Sequence, residues 1–237
     1  MEVGGSYSLE GASFEGLVLW RPRIGEAVTI VDASGGLFRG RVEELGKRGA
    51  RVFVFEGDGV LRGLPVEVVL LQALPEKERM ELIIQKATEL GAAKIVPFKS
   101  ERSISLEERE SGQRKAHKWQ DLALKASKQS RRETIAEVLS YASFEEALTF
   151  SKNSDLKLAL WERKGIPCLK ESLAMAREKG IGKVALLSGP EGGFTAAEME
   201  EAERKGFGPV SLGRRILRAE TASIVAVGIV MYELEGR

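Results

Sequence analysis

Residues 184–195 read VALLSGPEGGFT, an apolar run that passes directly into a loop of three glycines and one proline. The run Val184–Leu187 predicts a buried strand, and Thr195-Ala196-Ala197-Glu198 is a capping box that begins a helix straight after the loop. A strand, a glycine loop and a helix in this order indicate a parallel α/β sheet, with the loop at its carboxyl edge. Open α/β sheets bind their ligands at that edge.

This first loop suits a ligand that approaches the backbone closely. Gly192 and Gly193 lack a Cβ and permit positive φ, so a side chain at Gly192 is expected to obstruct a bound ligand. The loop has neither the Lys-Ser/Thr of a Walker A motif nor the Gly-x-Gly-x-x-Gly of dinucleotide folds, which disfavours phosphate binding. The alternative interpretation is an ordinary strand-to-helix turn.

The next predicted strand is Pro209–Leu212. A second glycine loop follows it, in the segment SLGRRILRAETA (residues 211–222). Because both loops follow strands of the same sheet, we expect them to line one cleft. Three arginines beside an Ile-Leu pair are unusual for a plain connection. The alternative is that these arginines are solvated and that Glu220 simply pairs with one of them.

Outward from these loops, strands alternate with helices from Glu67 to the end of the chain. This order predicts an α/β fold with a mostly parallel sheet and helices on both faces. Further predicted strands are Val68–Gln72, Lys94–Phe98 and Leu156–Trp161, and predicted helices include Gln113–Arg132, Phe144–Phe150 and Ala219–Glu235. Before Pro65, the short runs Ala27–Val31, Leu37–Val42 and Ala50–Phe55 lie between glycine turns and predict a small antiparallel β-barrel or sandwich. We therefore expect one domain over residues 1–66 and another over residues 67–237.

The composition excludes several classes of protein and site. The 237 residues carry a formal charge of +1, with one cysteine, Cys168, and one histidine, His117. A single residue of each type excludes intramolecular disulfides and Cys/His zinc cages, so we expect no metal. No apolar stretch approaches the roughly 20 residues that span a bilayer, and the amino terminus does not resemble a signal peptide. We expect a cytoplasmic protein with no membrane partner.

The predicted helix Gln113–Arg132 carries a one-signed charge on a nearly neutral chain. Seven Lys/Arg less one Asp give it a charge of +6. Trp119, Leu122, Ala123 and Ala126 form its apolar face, and a charge of one sign elsewhere suits a phosphate backbone. A solvated helix face is the alternative. The candidate RNA-binding residues, with Arg102 from the preceding loop, are Arg102, Lys118, Lys125, Lys128, Arg131 and Arg132.

With both loops considered, the chain resembles the RsmE-type bacterial 16S rRNA (uridine N-3) methyltransferases of the SPOUT superfamily. The motifs that carry this resemblance are Gly189–Phe194 (GPEGGF), the pattern LG..ILR.ETA over Leu212–Ala222, Glu89-Leu90-Gly91, Ser100–Ser103 (SERS), and Trp119 with the Ala126–Arg132 pattern A..QS.R. The resemblance covers nearly the whole chain. It departs from the family at two points, because no histidine precedes the expected strand Leu17–Arg21 and Ala136 replaces a proline.

This resemblance implies a fold, a cofactor and partners. The first domain would be a PUA-like RNA-binding β-barrel, and the second a SPOUT fold whose carboxyl-terminal segment threads a trefoil knot. The cofactor would be S-adenosylmethionine, and the partners would be 16S rRNA or the small ribosomal subunit and a second copy of the chain. The cofactor-binding residues would be Leu187, Ser188, Gly189, Glu191, Gly192, Gly193, Leu212, Gly213, Ile216 and Leu217.

The implied reaction is methyl transfer from a sulfonium to N-3 of a uridine. Arg218 would stabilise the imide anion that develops on the ring oxygens, and Glu191 would orient the base or accept its proton. Two other functions stay open at this point: a SPOUT methyltransferase that acts on another rRNA or tRNA position, and a non-catalytic RNA-binding assembly factor.

Overall fold

A computed structural model describes residues 1–60, 66–75, 77–103 and 117–235. Its contacts divide the chain into two units. One unit consists of Met1–Gly63 with Ser127–Ile135, and the other of Leu64–Ala126 with Ala136–Arg237. The segment Ser127–Ile135 thus belongs to the first unit, whereas the sequence analysis placed it with the second domain.

The first unit is a four-stranded antiparallel sheet with one helix in the part that the structure describes. The strands pair in the order β1-β4-β3-β2. Leu9, Leu17, Val28, Val42 and Val52 form its core. All three strand-like runs of the sequence lie within observed strands. The elements are β1 (Ser6–Glu10), α1 (Gly11–Leu19), β2 (Ala27–Val31), β3 (Gly36–Leu45) and β4 (Gly49–Val60).

The expected strand Leu17–Arg21 is wrong, because its first three residues end the helix α1. Phe14 and Leu17, three residues apart, both pack against the core of the first unit. That spacing places them on one side of a helix, whereas the short apolar run alone was equally compatible with a strand.

The second unit contains a six-stranded parallel sheet in the order β10-β8-β9-β5-β6-β7. Its strands are β5 (Glu67–Ala73), β6 (Lys94–Phe98), β7 (Glu137–Val138), β8 (Leu156–Leu160), β9 (Lys183–Ser188) and β10 (Gly208–Val210). Its helices, of which α3 ends within the first unit, are α2 (Lys77–Glu89), α3 (His117–Gln129), α4 (Phe144–Thr149), α5 (Leu169–Glu178), α6 (Ala196–Arg204) and α7 (Ala219–Leu234). Residues 113–116 of the predicted basic helix lie outside the described residues.

Alternation along the central strand β5 explains why helices cover both faces of the sheet. Val68 and Leu70 belong to one core cluster, together with residues of α2, α3, α5 and α7. Val69 and Leu71 belong to the opposite cluster, together with residues of α4 and α6. Successive strand residues point to opposite faces, and a strand buried on both must be apolar throughout. The predicted α/β class is confirmed.

Candidate cofactor site at the carboxyl edge of the parallel sheet

The first glycine loop, Gly189–Thr195, connects the end of β9 to α6. Gly193 adopts a φ of +67°, and its N–H donates to the Pro190 carbonyl at 2.9 Å. Thr195 caps α6 as predicted: its hydroxyl accepts from the Glu198 N–H at 3.2 Å, and the Glu198 carboxylate accepts from the Thr195 N–H at 2.9 Å. These hydrogen bonds within the loop define its backbone conformation.

Phe194 anchors this loop in the core of the second unit. Its side chain is buried, with its ring centroid 6.4 Å from that of Phe98 and 6.2 Å from that of Phe144. Aromatic rings at such separations interact favourably beyond the area that they bury. The loop thus stands on a packed aromatic base.

The SERS segment of the sequence packs against the first loop. Arg102 Nη1 donates to the Gly192 carbonyl at 3.0 Å, and the Glu101 N–H donates to Glu198 at 2.9 Å. A Cβ placed on Gly192 would lie 3.1 Å from the Cβ of Arg102. A side chain at Gly192 would therefore also crowd Arg102, and its expected obstruction of a bound ligand stays a prediction.

The second glycine loop, residues 211–218, is fixed mainly at its two ends. At its start, the Leu169 N–H donates to the Ser211 carbonyl at 2.9 Å and the Ser211 N–H donates to the Pro167 carbonyl at 3.0 Å. At its end, Arg218 is the N-cap residue of α7. Between them, Gly213 has a φ of +113° and Ile216 is 83% exposed, an unusual exposure for an apolar residue. Arg214, Arg215 and Arg218 are also exposed.

Arg79, in α2, joins the two loops. Its Nη1 donates to Glu191 Oε1 at 2.9 Å, and its Nε lies 3.9 Å from Glu220 Oε2. Glu191 belongs to the first loop, and Glu220 belongs to the first turn of α7, which continues the second loop. Arg79 thus contacts the first loop and the start of α7, and the shared cleft expected from the sequence stays a prediction. The alternative pairing of Glu220 with Arg214, Arg215 or Arg218 does not occur within the described part of the chain.

Beneath the two loops lies a buried polar network. Ser223 of α7 donates to Gln72 Oε1 of β5 at 2.5 Å, and its hydroxyl oxygen is 2.7 Å from that of Ser188 at the end of β9. The Ser223 hydroxyl is also 3.0 Å from the Ala219 carbonyl, and either serine can donate in the contact between the two hydroxyls. All three side chains are buried. The network holds α7, and with it the second loop, against the strand that carries the first.

The predicted cofactor-binding residues divide into a buried and an accessible set. Leu187 and Ser188 are buried in the sheet, and Leu212 and Leu217 are half-buried. Gly193 and Gly213 both have positive φ, and a Cβ at either position would meet no atom within 4 Å in the described part of the protein. Open backbone at two glycines and the buried Oε2 of Glu220, which accepts no hydrogen bond from the described residues, suit a ligand with hydrogen-bond donors or positive charge.

The candidate RNA-binding residues of α3 differ from one another in their surroundings. Lys118 and Lys125 are exposed, seven residues apart on one helix face. Lys128 instead donates to Glu26 Oε1 at 2.7 Å and to the Arg21 carbonyl at 3.2 Å, within the first unit. Burial raises the pKa of Glu26, but two hydrogen bonds to its carboxylate, from the Lys128 ammonium and the Arg23 N–H, lower it by more. The pKa therefore lies below the usual 4.5.

The turn after α3 carries the last two candidates. Arg131 is exposed and has a φ of +58°, which is uncommon for a residue other than glycine, and its carbonyl accepts from the Thr29 hydroxyl at 3.3 Å. Arg132 is half-buried, and its N–H donates to the Ser127 carbonyl at 3.0 Å. These bonds fix the turn on β2 of the first unit.

Sequence reasoning missed Arg79, Gln72 and Ser223. Gln72 gave a usable signal, because an amide side chain at the end of an otherwise apolar buried strand needs a partner. Arg79 gave none, since a charged residue in the first turns of a helix is usually solvated. Among the described residues, no cluster of three or more metal-ligating side chains occurs, and no helix combines the length and apolarity needed to cross a membrane.

Known proteins resemble this chain in sequence and in fold. Residues 62–231 match the family model described as RNA methyltransferase domain. The chain is 28% identical to ribosomal RNA small subunit methyltransferase E of Bacillus subtilis, over 99% of this chain and 93% of that protein. It is 34% identical to the Synechocystis protein of the same name, over 89% and 67% of the two lengths. The crystal structure of a Neisseria gonorrhoeae ribosomal RNA small subunit methyltransferase E bound to S-adenosyl methionine is also similar, with a TM-score of 0.67, 30% identity, and coverage of 98% of this chain and 93% of that one.

Proposed function

Since the chain belongs to the ribosomal RNA small subunit methyltransferase E family, within the RNA methyltransferase domain family, we propose that it methylates N-3 of a uridine in 16S rRNA. S-adenosylmethionine is the methyl donor. The observation that carries the proposal is the joining of the two glycine loops through Arg79 at the carboxyl edge of the sheet. A protein of the same family name, similar over nearly its whole length, is bound to this cofactor.

The cofactor lies between the two loops and is held largely by their backbone. From the first loop and the strand before it, we assign Leu187, Ser188, Gly189, Glu191, Gly192 and Gly193. From the second, we assign Leu212, Gly213, Ile216 and Leu217. The open positions of Gly193 and Gly213 support backbone recognition. When bound, the cofactor supplies an electrophilic methyl group, so the protein mainly positions and desolvates the reactants.

Arg218 is the catalytic residue in this proposal. The N-3 nitrogen of uracil must lose its proton, which passes to water, to be methylated, and negative charge then develops on the ring oxygens. The Arg218 guanidinium is exposed at the N-terminus of α7 and can stabilise that charge. Glu191 orients the first loop through Arg79. The hydrogen bond from Arg79 already occupies one of its oxygens, which favours this orienting role over proton acceptance.

RNA contacts come from both units. N-3 lies on the pairing edge of uracil, so the target base must be unpaired or extruded. Lys118 and Lys125 hold flanking phosphates, with Arg102, Arg131 and Arg132 as further contacts, and such contacts position RNA without reading its sequence. Lys128 orders the turn that carries Arg131, since its ammonium group is paired with Glu26.

The remaining family features are proposals as well. The first unit acts as a PUA-like RNA-binding domain, and the segment after β10 threads a trefoil knot. The protein acts in the cytoplasm as a homodimer that forms through α7. Two large hydrophobic residues of this helix, Val225 and Tyr232, are 38% and 73% exposed. Exposed apolar residues on one element favour a protein interface.

Mass spectrometry of modified nucleosides tests the proposed reaction. 16S rRNA from a bacterial strain without its small subunit methyltransferase E should gain 3-methyluridine when the purified protein and S-adenosylmethionine are added. The Arg218→Ala protein is the control. Methylation at another position or on tRNA would assign a different substrate to the same fold. Absence of any S-adenosylmethionine binding by calorimetry would instead favour the non-catalytic RNA-binding factor.

A further inference from the structure

The carboxylate of Glu220 contains an acceptor that the fold itself leaves unused. Its Oε2 is buried, and no donor among the described residues forms a hydrogen bond to it. Arg79 Nε lies 3.9 Å from this oxygen, beyond hydrogen-bond distance. Leaving a charged buried acceptor without a donor costs more than leaving a neutral one. The arrangement is therefore completed by a further donor or cation.

A simpler interpretation is that Glu220 only complements the N-terminus of α7, where a carboxylate is favourable. That electrostatic role acts through space and supplies no hydrogen bond to the buried Oε2, which accepts none from the described residues. Neither Arg214, Arg215 nor Arg218 pairs with it among the described residues, so the neighbouring loop does not satisfy it either.

The charge around Glu220 also favours a cationic ligand. The guanidinium of Arg79 lies between the carboxylates of Glu191 and Glu220, so this group of three side chains sums to −1, and the exposed arginines of the second loop form no ion pair with it among the described residues. S-adenosylmethionine carries a sulfonium, and methyl transfer converts that sulfonium into the neutral thioether of S-adenosylhomocysteine. The substrate form of the cofactor is thus one unit more positive than the product form. In a partly buried site, a charge difference of one unit changes affinity strongly.

We propose that Glu220 is a specificity-determining residue for the cofactor, with a carboxylate that favours the sulfonium form over the demethylated product. This inference rests on the proposed function, because it requires the cofactor to lie between the two glycine loops. Its consequence is that methyl transfer itself lowers the affinity of the spent cofactor and promotes its exchange.

Calorimetric titration of three cofactor forms tests this proposal. The full-length protein and its Glu220→Gln variant are titrated with S-adenosylmethionine, with S-adenosylhomocysteine, and with sinefungin, in which an amine-bearing carbon replaces the methylated sulfur. Glu200→Gln, at an exposed position of α6, is the matched control. Glu220→Gln should raise the Kd of both cationic ligands about tenfold or more, because each loses a charge–charge attraction in a partly buried site. The Kd of S-adenosylhomocysteine should change by less than about threefold in the same variant, a far smaller effect.

The outcomes separate this inference from the function on which it rests. If Glu220→Gln weakens all three ligands equally, or weakens none, the assignment of Glu220 is wrong while the cofactor site stands. If the unaltered protein binds none of the three, the proposed function itself is wrong. Retained binding of S-adenosylhomocysteine by the variant shows that its site is folded, so the selective loss cannot come from unfolding.

Discussion

The two glycine loops at the carboxyl edge of the parallel sheet are built in opposite ways. The first, Gly189–Thr195, is held by contacts along its length: a buried phenylalanine, the Arg102 guanidinium, and a complete capping box. The second, residues 211–218, is held at its ends and presents three arginines and an isoleucine to solvent. Arg79 and the network around Ser223 connect the two.

This difference indicates a division of labour. A loop with internal hydrogen bonds and a packed base offers a rigid surface, and rigid backbone donors and acceptors bind a cofactor without a large ordering cost. A loop that is free in the middle can adapt to a larger substrate, and loops of this kind commonly carry function. Substitution of the buried side chain of the first loop should therefore mainly affect stability, and substitution of exposed arginines in the second should mainly affect turnover.

Phe194→Ala gives the largest expected effect. Removal of its buried ring from the cluster with Phe98 and Phe144 should lower the free energy of unfolding by about 3–5 kcal/mol, because it leaves a cavity. Chemical denaturation monitored by circular dichroism measures it. Phe150→Ala, at a position that is 42% exposed, is the control and should cost under about 1 kcal/mol. Equal losses for both variants would show that the first loop does not depend on its aromatic base.

Arg218→Ala tests the second loop and should leave stability unchanged. Loss of a charge that stabilises the developing anion should lower turnover by roughly 10²–10³-fold, as for removal of an oxyanion donor. Radiolabelled methyl transfer to 16S rRNA gives the rate, and calorimetry gives the affinity for S-adenosylmethionine. Arg214→Ala, exposed in the same loop, is the matched control. Similar rates for the two variants would remove Arg218 from the catalytic step.

Local pattern made the strands and the first loop predictable from the sequence. Residues of β5 are apolar on both faces, and the capping box at Thr195 fixes where α6 begins. Partners distant in sequence were not predictable in the same way. Lys128 and Glu26 are 102 positions apart, and Arg79 and Glu191 are 112 apart. The spacing of charged residues along a helix is the same whether their side chains are solvated or paired. Only the fold therefore distinguishes the exposed Lys125 from the paired Lys128.

The lysines of α3 show the same contrast, because one is held by an ion pair and two are exposed to solvent. Replacing the exposed Lys118 and Lys125 together with Glu should weaken RNA binding about tenfold or more at moderate salt, since two phosphate contacts become repulsive. The slope of log affinity against log salt concentration should become less steep by about 2, because two phosphate contacts are lost. Filter binding to 16S rRNA fragments over a salt series measures both quantities. Unchanged RNA affinity at every salt concentration would show that this helix face is only solvated. The affinity for S-adenosylmethionine is the control and should stay the same in the variant.

The smallest expected effect concerns the fixed lysine. The pair Lys128–Glu26 is partly buried, with side chains 26% and 29% exposed, so Glu26→Gln should cost about 0.5–1 kcal/mol of stability at pH 7. The pKa of Glu26 is lowered in the folded protein, below its usual 4.5. Its carboxylate therefore contributes stability above that usual pKa, and the contribution is lost as the pH falls through the lowered value.

Denaturation of the unaltered protein and of Glu26→Gln from pH 7 to pH 3 follows this contribution. The stability difference between the two should be constant near neutral pH and should shrink once the pH falls below about 4.5. Glu15→Gln, exposed on α1 of the same unit, is the control and should show a smaller difference at neutral pH. A difference that stays constant down to pH 3 would mean that the pair does not hold the turn of Arg131 in place, and Lys128 would then rejoin Lys118 and Lys125 as a candidate phosphate contact.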